Sequence, residues 1–147
     1  MTPREQQLLH VVAQDLQQDQ RDYQQLLPLM QALYQQLMQR NSQQIDQLNE
    51  QINQLLEPVR QRAERRSKVL KAFALGQGAR AMTQLLARFA PAQRPTLQAL
   101  WQELGELAGQ CKAQNERNGK LLAMQNEIIQ QMLAEPDRAQ LYHQVYF

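Results

Sequence analysis

The side chains able to do covalent or metal chemistry are few and far apart. The chain has one cysteine, Cys111, and two histidines, His10 and His143. Neither histidine has a cysteine, a second histidine or a carboxylate at the short spacing that metal ligands need. His10 falls beside an apolar stripe and His143 near the C-terminus, and each reads as a surface or half-buried imidazole. Cys111 lies on the apolar side of a helix, where a thiol behaves as a small hydrophobe. Lys112 is the one neighbouring cation that could lower its pKa. Gly76-Gln77-Gly78-Ala79-Arg80 lacks the preceding strand and the third glycine of a dinucleotide loop. The remaining carboxylates are scattered on outer faces, so the sequence supports no catalytic centre, metal site or cofactor.

Cationic chemistry is the other possibility. Arg60, Arg62, Arg65, Arg66, Lys68 and Lys71 crowd into one helical stretch, with Arg60, Arg65, Lys68 and Lys71 expected on the side away from the apolar stripe. Such a face can track phosphates. No stacking aromatics are interleaved with it, however, and no nucleic-acid module surrounds it. A solvated helix face is the simpler reading, and a nucleic-acid-binding bundle is the lesser alternative.

The elements that must carry these residues are helices. Thirty of the 147 residues are glutamine, against eight aromatics, five glycines and six prolines, which leaves little with which to build a sheet. Leu, Ile and Met recur through the glutamines at helical spacing, so the fold class is all-α. The length suits one helical domain with a modest core, and the net charge of +2 selects no partner. No apolar run approaches the eighteen or so residues of a membrane span. The N-terminus is too polar for a secretory signal, and a lone cysteine fits a reducing cytoplasm.

Four segments follow. A helix is expected near 4–40 with the seam Leu8, Val12, Leu16, Asp19, Tyr23, Leu26, Met30, Leu33 and Leu37, kinked by Pro28. A second, near 42–75, is expected to be capped by Ser42 and to carry Ile45, Leu48, Ile52, Leu55, Val59, Ala63, Arg66, Leu70 and Phe73. Folding the chain at Asn41 makes facing positions sum to about 82 and brings the two seams together as an antiparallel hairpin. The connector Gly76–Gly78 reads as a helix stop, and residues 76–95 as connectors around a short helix near 79–89. A long helix near 96–134, capped by Thr96, precedes a tail at 135–147 that holds Tyr142, Tyr146 and Phe147.

The long helix has its own seam: Leu97, Leu100, Leu104, Leu107, Cys111, Asn115, Asn118, Leu122, Gln125, Ile129 and Met132. Amides interrupt its second half, and buried amides set register or partner at a cost in stability. Gly105, Gly109 and Gly119 each weaken the helix by about 1 kcal/mol relative to alanine. A surface made for another helix is one reading; an imperfect bundle core is the other, and a structural coiled coil dimerising through this helix is the rival function.

The stretch Cys111-Lys-Ala-Gln-Asn115-Glu-Arg-Asn118-Gly119-Lys-Leu121-Leu122, on a late amphipathic helix behind a long hairpin, resembles the FlgN family of flagellar export chaperones. The resemblance implies a small cytoplasmic helical protein that binds hook-filament junction proteins before type III export and delivers them to components of the export apparatus. It places the client on the C-terminal part, with Asn115, Asn118, Gly119 and Leu122 as the matching positions. Together with the seam, the candidate partner-binding residues are Leu107, Cys111, Asn115, Asn118, Gly119, Leu122, Gln125 and Ile129. Self-association of the client-free chain through the same helix is the accompanying expectation. No nucleic acid, membrane span, nucleotide or metal is called for.

One charge pattern in the hairpin yields a prediction independent of the resemblance. Asp19 and Arg66 interrupt otherwise apolar seams, and the register puts Asp19 opposite Ala63, with Arg62 and Arg66 about one turn to either side. A carboxylate on an apolar stripe needs a partner, and a guanidinium can supply a forked one; the alternative is that both side chains reach solvent along the seam's edge. An Asp19–Arg62 or Asp19–Arg66 pair is therefore expected. Asp19→Arg should destabilise the fold in urea titrations, and adding the matching Arg→Asp should recover part of the loss. A double variant equal to the sum of the singles would show that the sites are not coupled.

Overall fold

The computed structural model describes residues 1–134; the tail at 135–147, with Tyr142, Tyr146 and Phe147, lies outside them. Four helices make up the fold: α1 (Pro3–Gln39), α2 (Ser42–Ala72), α3 (Ala79–Leu86) and α4 (Arg94–Ala134). Each long helix starts and stops for local reasons. Thr2 Oγ1 accepts from the Glu5 amide at 3.1 Å, with Pro3 in the first turn, where a missing N–H costs nothing. Arg40 closes α1 in the left-handed region (φ 56°), and the Asn41 amide donates back to the Gln36 carbonyl. Asn41, rather than Ser42, caps α2, its side chain accepting from the Gln44 amide at 3.2 Å. Ser42 is the first helical residue.

Pro28 and Pro58 lie inside α1 and α2, and both helices run through them unbroken. At the end of α2 the left-handed turn is made by Ala74 (φ 56°), ahead of Gly76 and Gly78, which also have positive φ. The short helix stops at Leu86, earlier than its apolar pattern suggests. The long one begins at Arg94, so Pro95 occupies its first turn and Thr96 is interior rather than a cap.

The middle helix of the arrangement is α1. Both α2 and α4 pack on it, while no Cα of α2 comes within 8 Å of a Cα of α4 among the described residues. At one end, here the base, Leu9, Val12 and Leu16 of α1 meet Val69 and Leu70 of α2, Met82, Leu85 and Leu86 of α3, and Leu97, Leu100 and Leu104 of α4. Thus α3 acts as a plug that lets the chain cross from the foot of α2 to the foot of α4. From there α4 runs parallel to α1. Asn118 Nδ2 donates to the Met30 carbonyl and Gln125 Nε2 to the Leu37 carbonyl, each at 2.9 Å, and both pairs are 88 residues apart in the chain. A constant separation means parallel helices. Two amides one heptad apart thereby fix the register of α4 on α1.

The hairpin interface carries more charge than its seams foretold. Asp15, Asp19 and Asp22 share one face of α1 by their four-and-three spacing, and all three are buried. Arg62 Nε reaches Asp19 Oδ1 at 2.5 Å, and its Nη2 pairs with Asp22 Oδ2. Arg66 adds a second bond to Asp19 at 3.1 Å, and Arg65 holds Asp15 through two bonds of 2.7 Å. Asp19 therefore takes both arginines expected for it, and the register near 82 holds to within a helical turn. Arg62 is itself 7% exposed. Burial works against its charge, but the hydrogen bonds and fields of Asp19 and Asp22 outweigh it and raise its pKa.

Removing one partner of a buried network leaves the others desolvated and uncompensated. Arg62→Met should cost about 3–5 kcal/mol in urea unfolding, because Asp22 loses its cation and Asp19 keeps only Arg66. Replacing Asp19, Asp22 and Arg62 together by apolar residues of similar volume should restore most of that stability.

Candidate functional site

Around α4 the eight sequence-selected residues fall into two sets. Cys111 and Asn118 are buried, and Gln125 and Leu107 are partly buried; their faces are already occupied by the chain itself. Asn115, Gly119, Leu122 and Ile129 are exposed. The buried face continues an unbroken three-four alternation through Cys111, Gln114, Asn118, Leu121, Gln125, Ile128 and Met132. The sequence seam instead took two steps of four in succession, from Leu107 to Cys111 to Asn115, and so passed onto a neighbouring flank about 100° round the helix. Leu121 was missed for this reason, although its spacing from Asn118 and Gln125 was visible.

That second flank is an apolar stripe of its own. Asn115, Gly119, Leu122, Asn126, Ile129 and Leu133 follow one another at heptad spacing. Leu122 is 47% exposed, Ile129 40% and Leu133 79%. Its direction is set by Trp101, which stands seven, fourteen, twenty-one and twenty-eight residues before Ala108, Asn115, Leu122 and Ile129. The Arg66 guanidinium of α2 lies over the Trp101 ring, 5.3 Å from its centroid. Hence this flank of α4 looks toward α2. The opposite flank looks away, since Arg117 stacks on Tyr34 of α1 at 3.9 Å.

Above the Arg66–Trp101 contact no Cα of α2 approaches a Cα of α4 within 8 Å among the described residues, although Ile52 of α2 and Cys111 of α4 share one buried cluster. On α2 the heptad series from Arg66 continues through Val59, Ile52 and Ile45, with Leu56 beside it and exposed. Met30, Ile52 and Cys111 belong to one buried cluster with Leu26, and Leu33 packs against it. The space between α2 and α4 over α1 is here the trough, with the base contact as its closed end; its α1 floor, with Leu26, Met30 and Leu37, is already covered. Its accessible positions mix apolar side chains, Leu56, Leu122 and Ile129, with the amides Asn115 and Asn126, a pattern that could receive a helical segment. It offers no constellation of acids, bases or nucleophiles.

The other candidates thin out. Of the six clustered cations, Arg62, Arg65 and Arg66 are turned inward to aspartates, and exposed Arg60 pairs with Glu57 and Glu64. Arg65 keeps its expected exposed position, half exposed, while its long stem reaches back across the interface to Asp15. Only Lys68 and Lys71 of that cluster are left for an external anion. Among the described residues no group of His, Cys, Asp and Glu could hold a metal ion, and no helix is long and apolar enough to cross a membrane. Cys111 is enclosed with Leu26, Met30 and Ile52, and burial pushes its thiol pKa up; Lys112 does not activate it.

A protein-family model described as FlgN protein matches residues 1–140. The chain belongs to the FlgN family. This is a family of flagellar export chaperones, and the match spans the hairpin, the plug and the whole of α4. No curated protein and no solved structure matches the chain. Membership in the FlgN family agrees with the all-α fold.

The enclosed thiol gives a direct check on which face of α4 is turned inward in this FlgN-family chain. A raised thiol pKa means less thiolate at mildly alkaline pH, and enclosure blocks access. Cys111 should react with a chromogenic disulfide reagent at least about a hundredfold more slowly in the native protein than in denaturant. Equal rates would put Cys111 on the exposed flank.

Proposed function

We propose that this chain is a cytoplasmic chaperone for hook-filament junction proteins, and that it holds a terminal helical segment of its client in the trough between α2 and α4. The observation that carries the reading is the alignment of Leu122, Ile129 and Leu133 on one exposed flank of α4, with Leu56 of α2 exposed as well. Large apolar residues in a row at heptad spacing are a helix-in-groove surface. A client helix there would complete a four-helix bundle and keep its own apolar face from aggregating.

The glycines support the same reading. A Cβ added at Gly119 would meet nothing within 4 Å, so packing inside the chain does not require glycine there. A glycine on the exposed flank costs about 1 kcal/mol of helix stability, and it gives an approaching helix a place to come close. Asn115 and Asn126 flank it and can fix the client's register as buried amides do. Leu107, Cys111, Asn118 and Gln125 contribute indirectly by seating α4 on α1. Binding needs no nucleotide or metal, and part of the gross interaction energy goes to ordering the client. Handover to export-apparatus components would follow while the client is still unassembled.

Replacing Leu122 and Ile129 together by aspartate should abolish client binding in a pull-down from flagellated-cell extract or in titration with a purified junction protein. Two carboxylates would have to be desolvated in the trough. Because both side chains are nearly half exposed in the free chain, circular dichroism and the thermal midpoint should stay close to wild type. Global unfolding would instead assign them to the core. Light scattering that shows a tight homodimer and no complex with client would favour the self-associating coiled coil.

A further inference from the structure

Between Glu64 and Glu103 the chain has no acidic residue and seven cations: Arg65, Arg66, Lys68, Lys71, Arg80, Arg88 and Arg94. The fold gathers this whole stretch at the base, the end where α2 finishes, α3 plugs the core and α4 begins. Arg65 and Arg66 are neutralised by Asp15 and Asp19. Lys68, Lys71, Arg80 and Arg88 are exposed, and among the described residues none of them is in a salt bridge. Arg4, in the first turn of α1, joins them at the same end, where Glu5 is the one nearby carboxylate of that helix. A chain of nearly balanced charge therefore has one strongly positive end. Such an end steers and holds anionic partners.

Beside these cations lies a concavity. An open pocket of about 460 Å³ is lined by Leu9, His10 and Ala13 of α1 and by Arg88, Phe89 and Ala90 of the turn after α3, with Met1, Gln6 and Gln93 at its edges. Its walls are largely apolar. Arg88 stands at its rim, its guanidinium 5.7 Å from the Phe73 ring centroid. A pocket for one apolar side chain with a cation at its lip is the form of a protein-interface anchor site.

We propose that the base of the bundle is a second interaction surface, distinct from the trough, which docks an acidic segment of a partner protein by burying one apolar side chain of that segment in the Leu9–Ala13–Phe89–Ala90 pocket. Charge complementarity selects an anionic occupant, and the pocket selects a peptide among anions. A bilayer would need several apolar side chains projecting from the base, yet the apolar face of α3, with Ala81, Met82, Leu85 and Leu86, is buried in the core, and Met1 alone among the large apolar residues there is exposed. A nucleic acid would need exposed rings on which bases stack, and Phe89 is buried while Phe73 is covered by Arg88. The surface lies at the opposite end of α4 from Leu122 and Ile129, so client and acidic partner can bind together.

The test uses the full chain and a short fluorescein-labelled peptide of glutamate and aspartate with one central phenylalanine. Fluorescence anisotropy should show saturable binding that weakens as salt is raised. The double variant Arg80→Glu with Arg88→Glu should lower affinity by about tenfold or more, as reversal of rim charges does. Ala90→Asp, at an exposed position, should lower it as well and erase any preference for the phenylalanine peptide over its serine counterpart. Native circular dichroism and unchanged client binding by these variants would show that the fold and the trough are intact. The proposal fails if the peptide does not bind, if the serine peptide binds the wild-type chain equally well, or if the variants bind as wild type does. It fails equally if random-sequence duplex DNA or anionic lipid vesicles bind more tightly than the phenylalanine peptide.

Discussion

Arg62 lies between Asp19 and Asp22 with almost no water around it, and the geometry of the whole bundle follows from where that contact falls. Two helices with several apolar residues per turn can slide against each other by a turn at modest cost. A buried guanidinium shared by two carboxylates cannot slide, because every alternative register strands a charge in an apolar interface. Arg65 on Asp15 and Arg66 on Asp19 extend the same restriction along α1. With the hairpin pinned in this way, α1 offers its remaining side to α4 at one rotation only.

That remaining side is read by amides. Asn118 and Gln125 reach carbonyls of α1 that are already engaged in helix bonds, using the spare lone pair of each. Such bonds add little net stability, but leaving the amides without partners would be costly, so they select parallel alignment and one offset. The consequence for function is what α4 does not do. It packs on α1 without closing onto α2, and the space left over is the trough. In the proposed role a client would have to be held firmly enough to stay unassembled and released without dismantling the holder. A groove missing one helix of a bundle would meet both demands, since its three helices have their own register before a client arrives.

The two amide-bearing sets on α4 show which part of the proposed client surface was legible in the sequence. Leu122, Ile129, Asn115 and Gly119 can be picked from the pattern because large apolar residues at heptad spacing on a polar helix need a reason. Cys111, Asn118 and Gln125 sit in the same pattern and face the other way. One helix with two adjacent apolar flanks gives a periodicity signal that is their blend, and a single seam drawn through it crosses from one to the other. Only contact with α1 separates them. The ion network was partly legible for a similar reason. Asp19 stood out against an apolar seam, while Asp15 and Asp22 carried the same four-and-three spacing but looked like outer-face acids until Arg65 and Arg62 were seen to reach them.

By itself the sequence determined the helices and the hairpin. Helical periodicity, the break in pattern at Asn41–Ser42 and two independent seams are local properties, and local properties survive without a partner. Family membership was legible as well, from a dozen residues in the late helix. The start of α2 lay one residue, and that of α4 three residues, from where propensity placed them, as happens when several polar residues compete to end a helix. What only the tertiary structure decided is which flank of α4 is covered, that α4 runs parallel to α1, and that seven cations between Glu64 and Glu103 end up at one pole. These depend on α3, a two-turn plug whose apolar face forces the chain across the foot of the bundle. No spacing within α4 contains that information, because it arises from where a different helix sends the chain.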